Sequence, residues 1–207
     1  MGGKTRMHIS EGILTLPVIF SGWGCSALLA TLALRHTSTQ QLPRIAVLSS
    51  AFFLASLVRI PLGASSIHFT LLGVMGIILG WSAFPAIFIA LALQAILFQF
   101  GGLLSLGVNA SVMGGAALLG CLPLTPGLRR PGRLASGIAF LCGALPIVIA
   151  AVLIYLALTW SHATLASTAT LLFIANLPLA LLEGGITLFA FLFLKRVAPE
   201  LLTGSFR

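Results

Sequence analysis

The fold class this sequence predicts is an all-α, polytopic transmembrane bundle of about seven helices, and two observations predict it. Hydrophobic residues make up 59% of the 207 and charged residues only 7%, whereas soluble chains are roughly a quarter charged. The apolar residues also gather into runs. A bilayer core about 30 Å thick takes about 20 of them at 1.5 Å rise each. Fourteen Lys, Arg, Asp and Glu side chains cannot clothe a globule of this size, which excludes a water-soluble enzyme, a disordered tail and a coiled coil. A net charge of +8 would point to nucleic acid in a soluble protein. Here the basic residues sit between apolar runs, where they orient the chain in lipid, and no nucleic-acid partner is expected.

The runs follow one another with clear punctuation. The first covers 12–34 and is closed by the stretch from Arg35 to Arg44 with Pro43. The second, 45–62, gives way at Pro61 to Ser66; the third, 69–82, and the fourth, 84–100, are parted by Trp81 to Pro85. Gly101 to Asn109 precedes most of the fifth run, 104–124, and Pro123 to Arg133 ends it. The sixth and seventh, 134–160 and 165–194, meet at Trp160 to Ser167. The second and third runs are short, so one of them is tilted or sunk partway and shielded by its neighbours, with six crossings as the alternative. Neither a repeat nor a low-complexity linker divides the chain, so residues 1–207 form one domain.

Seven crossings place the termini on opposite faces. With the N-terminus outside, Arg35, Arg44, Arg129, Arg130, Arg133, Lys195, Arg196 and Arg207 fall inside, and only Lys4, Arg6 and Arg59 fall outside. The positive-inside rule therefore predicts an external N-terminus and a cytoplasmic C-terminus, in a cell inner membrane. MGGKTR runs directly into a spanning segment without a small-residue cleavage site, so no cleavable signal is expected. Gly73, Gly76 and Gly80, and Gly114, Gly115 and Gly120, read as sites where helix backbones approach closely. Cys25, Cys121 and Cys142 are odd in number and lack CxxC spacing, so they read as small buried hydrophobes.

Polar side chains in an apolar chain are costly and are the functional candidates. In the orientation above, His8, Glu11, His68, Gln99, Asn109 and His162 share the outer face, and His36 lies on the inner one. Two imidazoles brought together suit a divalent transition metal such as Ni(II), Co(II), Cu(II) or Zn(II). Read from the residues alone, histidines at a membrane edge fit an interfacial, hydrogen-bonded role as readily. Gln94, Gln99 and Ser111 read as interhelical hydrogen bonds and Met75 and Met113 as core filler.

Four stretches shift that balance: MHISEGIL at Met7 to Leu14, PLGASSIHFTLLGVMGIILG from Pro61, LQAILFQFGGLLSLGVNASVMG from Leu93, and NLPLALLEGGIT from Asn176. Together they resemble the CbiM/NikM family, the substrate-binding S components of cobalt and nickel energy-coupling factor (ECF) transporters. The resemblance implies a metal set in which Met7 gives a terminal amine, His8 a backbone and an imidazole nitrogen, and His68 a second imidazole. It places Glu11 and Asn109 near the site, where they orient the ligands; Glu11 also fits helix capping and Asn109 a structural loop role. Glu183 reads as a hydrogen-bonding device between helices or as part of a surface that moves against a coupling subunit.

The family pattern has its Met-His pair at the extreme N-terminus, whereas MGGKTR precedes Met7 here: either translation starts at Met7, which restores the free amine, or residues 1–6 are an artefactual extension, or this member binds its metal differently. A second departure is Gln99 and Phe100 ahead of Gly101 and Gly102, where many relatives have a histidine. No triad, P-loop or carboxylate pair is present, so the chain reads as a transporter subunit and not an enzyme. The resemblance implies a membrane coupling subunit of CbiQ/NikQ type, ATPases of CbiO/NikO type and a small CbiN or NikN type protein as partners. No catalytic cofactor is expected, and Co(II) or Ni(II) is the cargo. The rival readings are a membrane metallochaperone or enzyme, and a structural or channel-like bundle without a metal site.

Overall fold

The structure, a computed structural model, describes residues 13–62 and 65–203. Seven helices of eight residues or more are found among them: α1 (Leu16–Arg35), α2 (Leu42–Ala55), α3 (Leu72–Leu79), α4 (Ala83–Phe98), α5 (Leu106–Cys121), α6 (Arg133–Ser161) and α7 (Ala166–Val197). A single turn, α8 (Glu200–Thr203), follows. Four segments are long and apolar enough to cross a membrane by length and composition: α1, the α3–α4 stretch, α6, and α7 with the turn before it. The chain is a multi-pass membrane protein.

Neighbouring side chains fix the helix directions. Gly22 of α1 lies against Val108 and Gly115 of α5 against Leu29, so α1 and α5 run parallel. Gly120 meets Pro146 while Cys121 meets Cys142, and Gly143 meets Thr187 while Ser161 and Ala166 bound the short α6–α7 connection, so α6 runs against both α5 and α7. Arg35, Arg44, Arg129, Arg130, Arg133, Lys195 and Arg196 consequently gather at one end of the bundle. At that end Gln41 accepts from the Ser38 N–H (3.0 Å) and the Ser82 hydroxyl (3.0 Å), tying the α1–α2 connection to the turn after α3. His36 belongs to the same structural corner: its Nδ1 donates to Leu32 O (2.8 Å) and its ring stacks on Trp81. Large apolar side chains such as Phe20, Trp160 and Phe189 are more than two-thirds exposed, as a lipid-facing belt requires.

The two short runs are where the structure departs from the sequence reading. The run 45–62 does not continue as helix: α2 ends at Ala55, and β1 (Arg59–Leu62) pairs antiparallel with β2 (Ser65–His68), Arg59 opposite His68. Proline at position 61 lacks the N–H a helix needs there, whereas an edge strand tolerates it. The third run is shorter than its apolar length, because α3 starts only at Leu72 and almost every residue in it is buried. This is the sunken, shielded helix that the short runs foreshadowed. Gly80 at φ 57°, ψ −123° then ends it, a conformation open to glycine, and the chain turns into α4.

Other expectations sort residue by residue. Gln94 donates to Ser56 Oγ (2.8 Å) and Ser111 to Gly22 O (2.8 Å), interhelical as predicted. Met75 and Met113 are in the core. Among the described residues Gln99 has no such bond: it is exposed, with φ 54°, and serves as the left-handed cap of α4. Cys25 is exposed on α1, while Cys121 and Cys142 are buried as expected.

Candidate metal site

His68 ends β2 and was placed by its sequence context in an outer connecting loop. The fold instead carries that loop into the bundle, and His68 is only 2% exposed. Its Nδ1 lies 3.2 Å from Phe69 O. A carbonyl oxygen only accepts, so the neutral ring holds its proton on Nδ1 and its lone pair on Nε2, the tautomer that ligates a metal through Nε2. Beside the ring is a cavity of ≈ 20 Å³, enough for one water or an ion of similar size. Thr70 and Leu72 line it from the same segment, Met113 from α5, Asn176 from α7, and Ile147 to Ile154 form its wall on α6.

Asn176 is the residue that sequence reasoning passed over. Its Nδ2 donates to Leu172 O (2.7 Å), and its Oδ1 keeps the capacity to accept a hydrogen bond or ligate an ion. The signal was available: an amide in an apolar run, two turns ahead of Glu183 and on the same helical face. Glu183 is wholly buried, and one carboxylate oxygen, Oε1, accepts from the Thr70 N–H (2.5 Å), the Leu71 N–H (3.0 Å) and the Thr70 hydroxyl (3.1 Å). It is a hydrogen-bonding device, but it ties α7 to the turn ahead of α3 rather than to another helix.

Asn109 is buried in the first turn of α5, helical and not in a loop, and it does not line the His68 cavity. His162 is exposed at the far end of α6. Met7, His8 and Glu11 lie outside the described residues. Among the described residues no three His, Cys, Asp or Glu side chains gather as a metal cluster; besides His68, the polar side chains lining the cavity are those of Thr70 and Asn176. The Thr15 N–H, just ahead of α1, donates to Ser161 Oγ (3.3 Å) at the end of α6.

The family model described as "Cobalt uptake substrate-specific transmembrane region", CbiM, matches residues 8–201. A Haemophilus influenzae protein provisionally named a metal transport protein is 42% identical over 113 residues, 55% of each chain. A Methanocorpusculum labreanum protein, provisionally named a fused cobalt transport protein CbiMQ, is 31% identical over 94% of this chain and 36% of its own length. The chain thus spans about half of the first relative and about a third of the second. A crystal structure of a transition metal transporter superposes with a TM-score of 0.79 over 92% of this chain and 93% of that one, at 21% identity, which speaks for the fold. With the family model matched along residues 8–201, the chain belongs to the CbiM family.

Proposed function

We propose that this protein is the substrate-capture subunit of an ECF-type importer, taking a divalent cobalt or nickel ion from outside and holding it at His68. The observation that carries the reading is the His68 imidazole, buried against a cavity of ≈ 20 Å³ with Nδ1 committed to Phe69 O. Fixing one ring nitrogen in this way presets the other for a metal. The remaining donors are the His8 backbone and imidazole nitrogens and, where translation starts at Met7, the Met7 amine. Reach permits it. Seven residues separate His8 from Thr15, up to about 25 Å of chain, while Ile154 of the cavity wall lies seven residues from Ser161 on α6, about 10 Å along the axis. An all-nitrogen set suits Ni(II), and less strictly Co(II). It replaces the ion's water before the low-dielectric interior closes over it, and losing the amine and amide protons offsets the ion's charge.

The basic end of the bundle then faces the cytoplasm under the positive-inside rule, which puts the entry at Thr15 and Ser161 outside. Coupling and ATPase subunits of CbiQ/NikQ and CbiO/NikO type, with a small CbiN or NikN type protein, drive release inside; this chain supplies capture and not ATP hydrolysis. The fusion named in the Methanocorpusculum relative supports a coupling partner. Calorimetric titration of the purified chain with Ni(II) and Co(II) tests the reading. His68→Ala abolishes stoichiometric binding and His162→Ala leaves it intact; equal loss in both variants refutes the assignment. Uptake of radiolabelled nickel into cells, with and without the partner subunits, separates an importer from a chaperone or a channel.

A further inference from the structure

We propose that Glu183 is a positioning residue for metal capture, acting on His68 through the single peptide unit that joins Phe69 to Thr70. The two ends of that unit are both engaged. Its N–H, on Thr70, donates to Glu183 Oε1, and its C=O, on Phe69, accepts from His68 Nδ1 at 3.2 Å. In a trans peptide the N–H and C=O point in opposite directions, so carboxylate, peptide and imidazole form one line from α7 to the cavity. The arrangement resembles the carboxylate–histidine pairs that orient metal ligands, with a peptide group interposed. The carboxylate fixes the plane of the peptide and polarises it, which holds the Nδ1–H tautomer and turns Nε2 toward the ion.

Two further observations show that the grip is specific. Leu71, the next residue, has φ 52° and ψ 24°, a left-handed conformation that a branched side chain seldom adopts unless its surroundings impose it. Glu183 also takes the Leu71 N–H and the Thr70 hydroxyl, so the whole turn hangs on one oxygen. The approach that allows so short a side chain to reach is made by glycines. A Cβ on Gly73 of α3 would lie 2.4 Å from Gly143 Cα, and one on Gly143 would lie 2.4 Å from Glu183 O.

The inference rests on His68 being a ligand, and the experiment separates the two. Full-length protein in detergent is titrated with Ni(II) as wild type, Glu183→Ala, Glu183→Gln and His68→Ala, and the apo forms labelled with 15N-histidine report the His68 tautomer by NMR. Among the described residues Glu183 Oε2 has no hydrogen-bond partner, so the glutamine keeps one accepting oxygen and sets its NH2 group at the position of Oε2. Glu183→Ala weakens Ni(II) binding about 10- to 100-fold, the range for outer partners of metal ligands, and mixes the two tautomers. Glu183→Gln keeps the Nδ1–H signature and binds about threefold or more weakly, because an amide oxygen is a weaker acceptor for the Thr70 and Leu71 N–H groups than a carboxylate oxygen. A role in packing alone would lower melting and leave the tautomer unmoved, which overturns the proposal, as does either folded variant binding like wild type. If Glu183→Ala does not fold, Glu183→Gln decides by affinity. If His68→Ala binds like wild type, the metal reading itself fails; if only His68→Ala loses binding, Glu183 alone is refuted.

Discussion

Gly143→Ala puts the close approach of α6 and α7 to a direct test. A Cβ at Gly143 would lie 2.4 Å from Glu183 O, 2.5 Å from Thr187 Oγ1 and 2.7 Å from Thr187 Cβ, where ordinary contact starts at 3.4 Å. The deficit against the backbone oxygen is 3.4 − 2.4 = 1.0 Å, and a backbone atom cannot rotate away, so α7 must recede. The 3.0 Å bond from Leu71 N to Glu183 Oε1 then stretches toward about 4 Å, beyond hydrogen-bonding range. Overpacking costs about 1–3 kcal/mol and a lost hydrogen bond about 1 more. At about 2–4 °C per kcal/mol for a chain of this size, that is a fall in melting temperature of roughly 4–16 °C. Because Glu183 is pulled off its turn without being altered, Ni(II) affinity falls too. Gly137→Ala on the same helix is the control, since nothing lies within 4 Å of its Cβ. Thermal melting in detergent with calorimetric titration reads both. Should Gly143→Ala melt and bind like Gly137→Ala, the helices are not in contact as described and the route from α7 to His68 fails.

Protons compete with the ion for amine and imidazole nitrogens, so affinity weakens as pH falls through about 8 and then about 6.5, the reference values of the two groups. A calorimetric series flat between pH 8 and pH 5 would exclude nitrogen ligation. Gln99→Gly raises the melting temperature by a few degrees, because Gln99 is exposed at φ 54° and left-handed backbone costs a side-chain-bearing residue roughly 1–2 kcal/mol, more than the entropy glycine gives up. An unchanged or lower melting temperature in that variant means the side chain contributes contacts that outweigh its backbone strain.

What was legible in the sequence follows from how each feature is encoded. Helices α1, α6 and α7 were readable to within a few residues because length and hydropathy specify a span by themselves: 134–160 was expected where Arg133–Ser161 is found. The segment 59–68 was not, because a short apolar run reads alike as buried helix or strand, and only the pairing of Arg59 with His68 decides it. The same fold explains why His68 was placed at a membrane edge yet is found 2% exposed: a loop's sequence does not state how deep its hairpin is drawn. Gln99 shows the converse error, a polar side chain credited with a hydrogen bond when its backbone conformation is what matters.

Glu183 marks where that division comes from. A carboxylate inside a membrane protein announces itself, because its burial is costly without partners. Its partners do not announce themselves. Two of the three donors it receives are the backbone N–H groups of Thr70 and Leu71, which every non-proline residue carries and which no pattern of side chains distinguishes. The glycines that bring α3, α6 and α7 together are visible in the sequence, but that Gly73 faces Gly143 is a relation between helices 70 residues apart. In a chain this apolar the cost of each polar group is written in the sequence, while what offsets that cost is written in the packing; the candidate site was therefore visible at one side chain, His68, and hidden in the turn, the peptide and the helix that hold it.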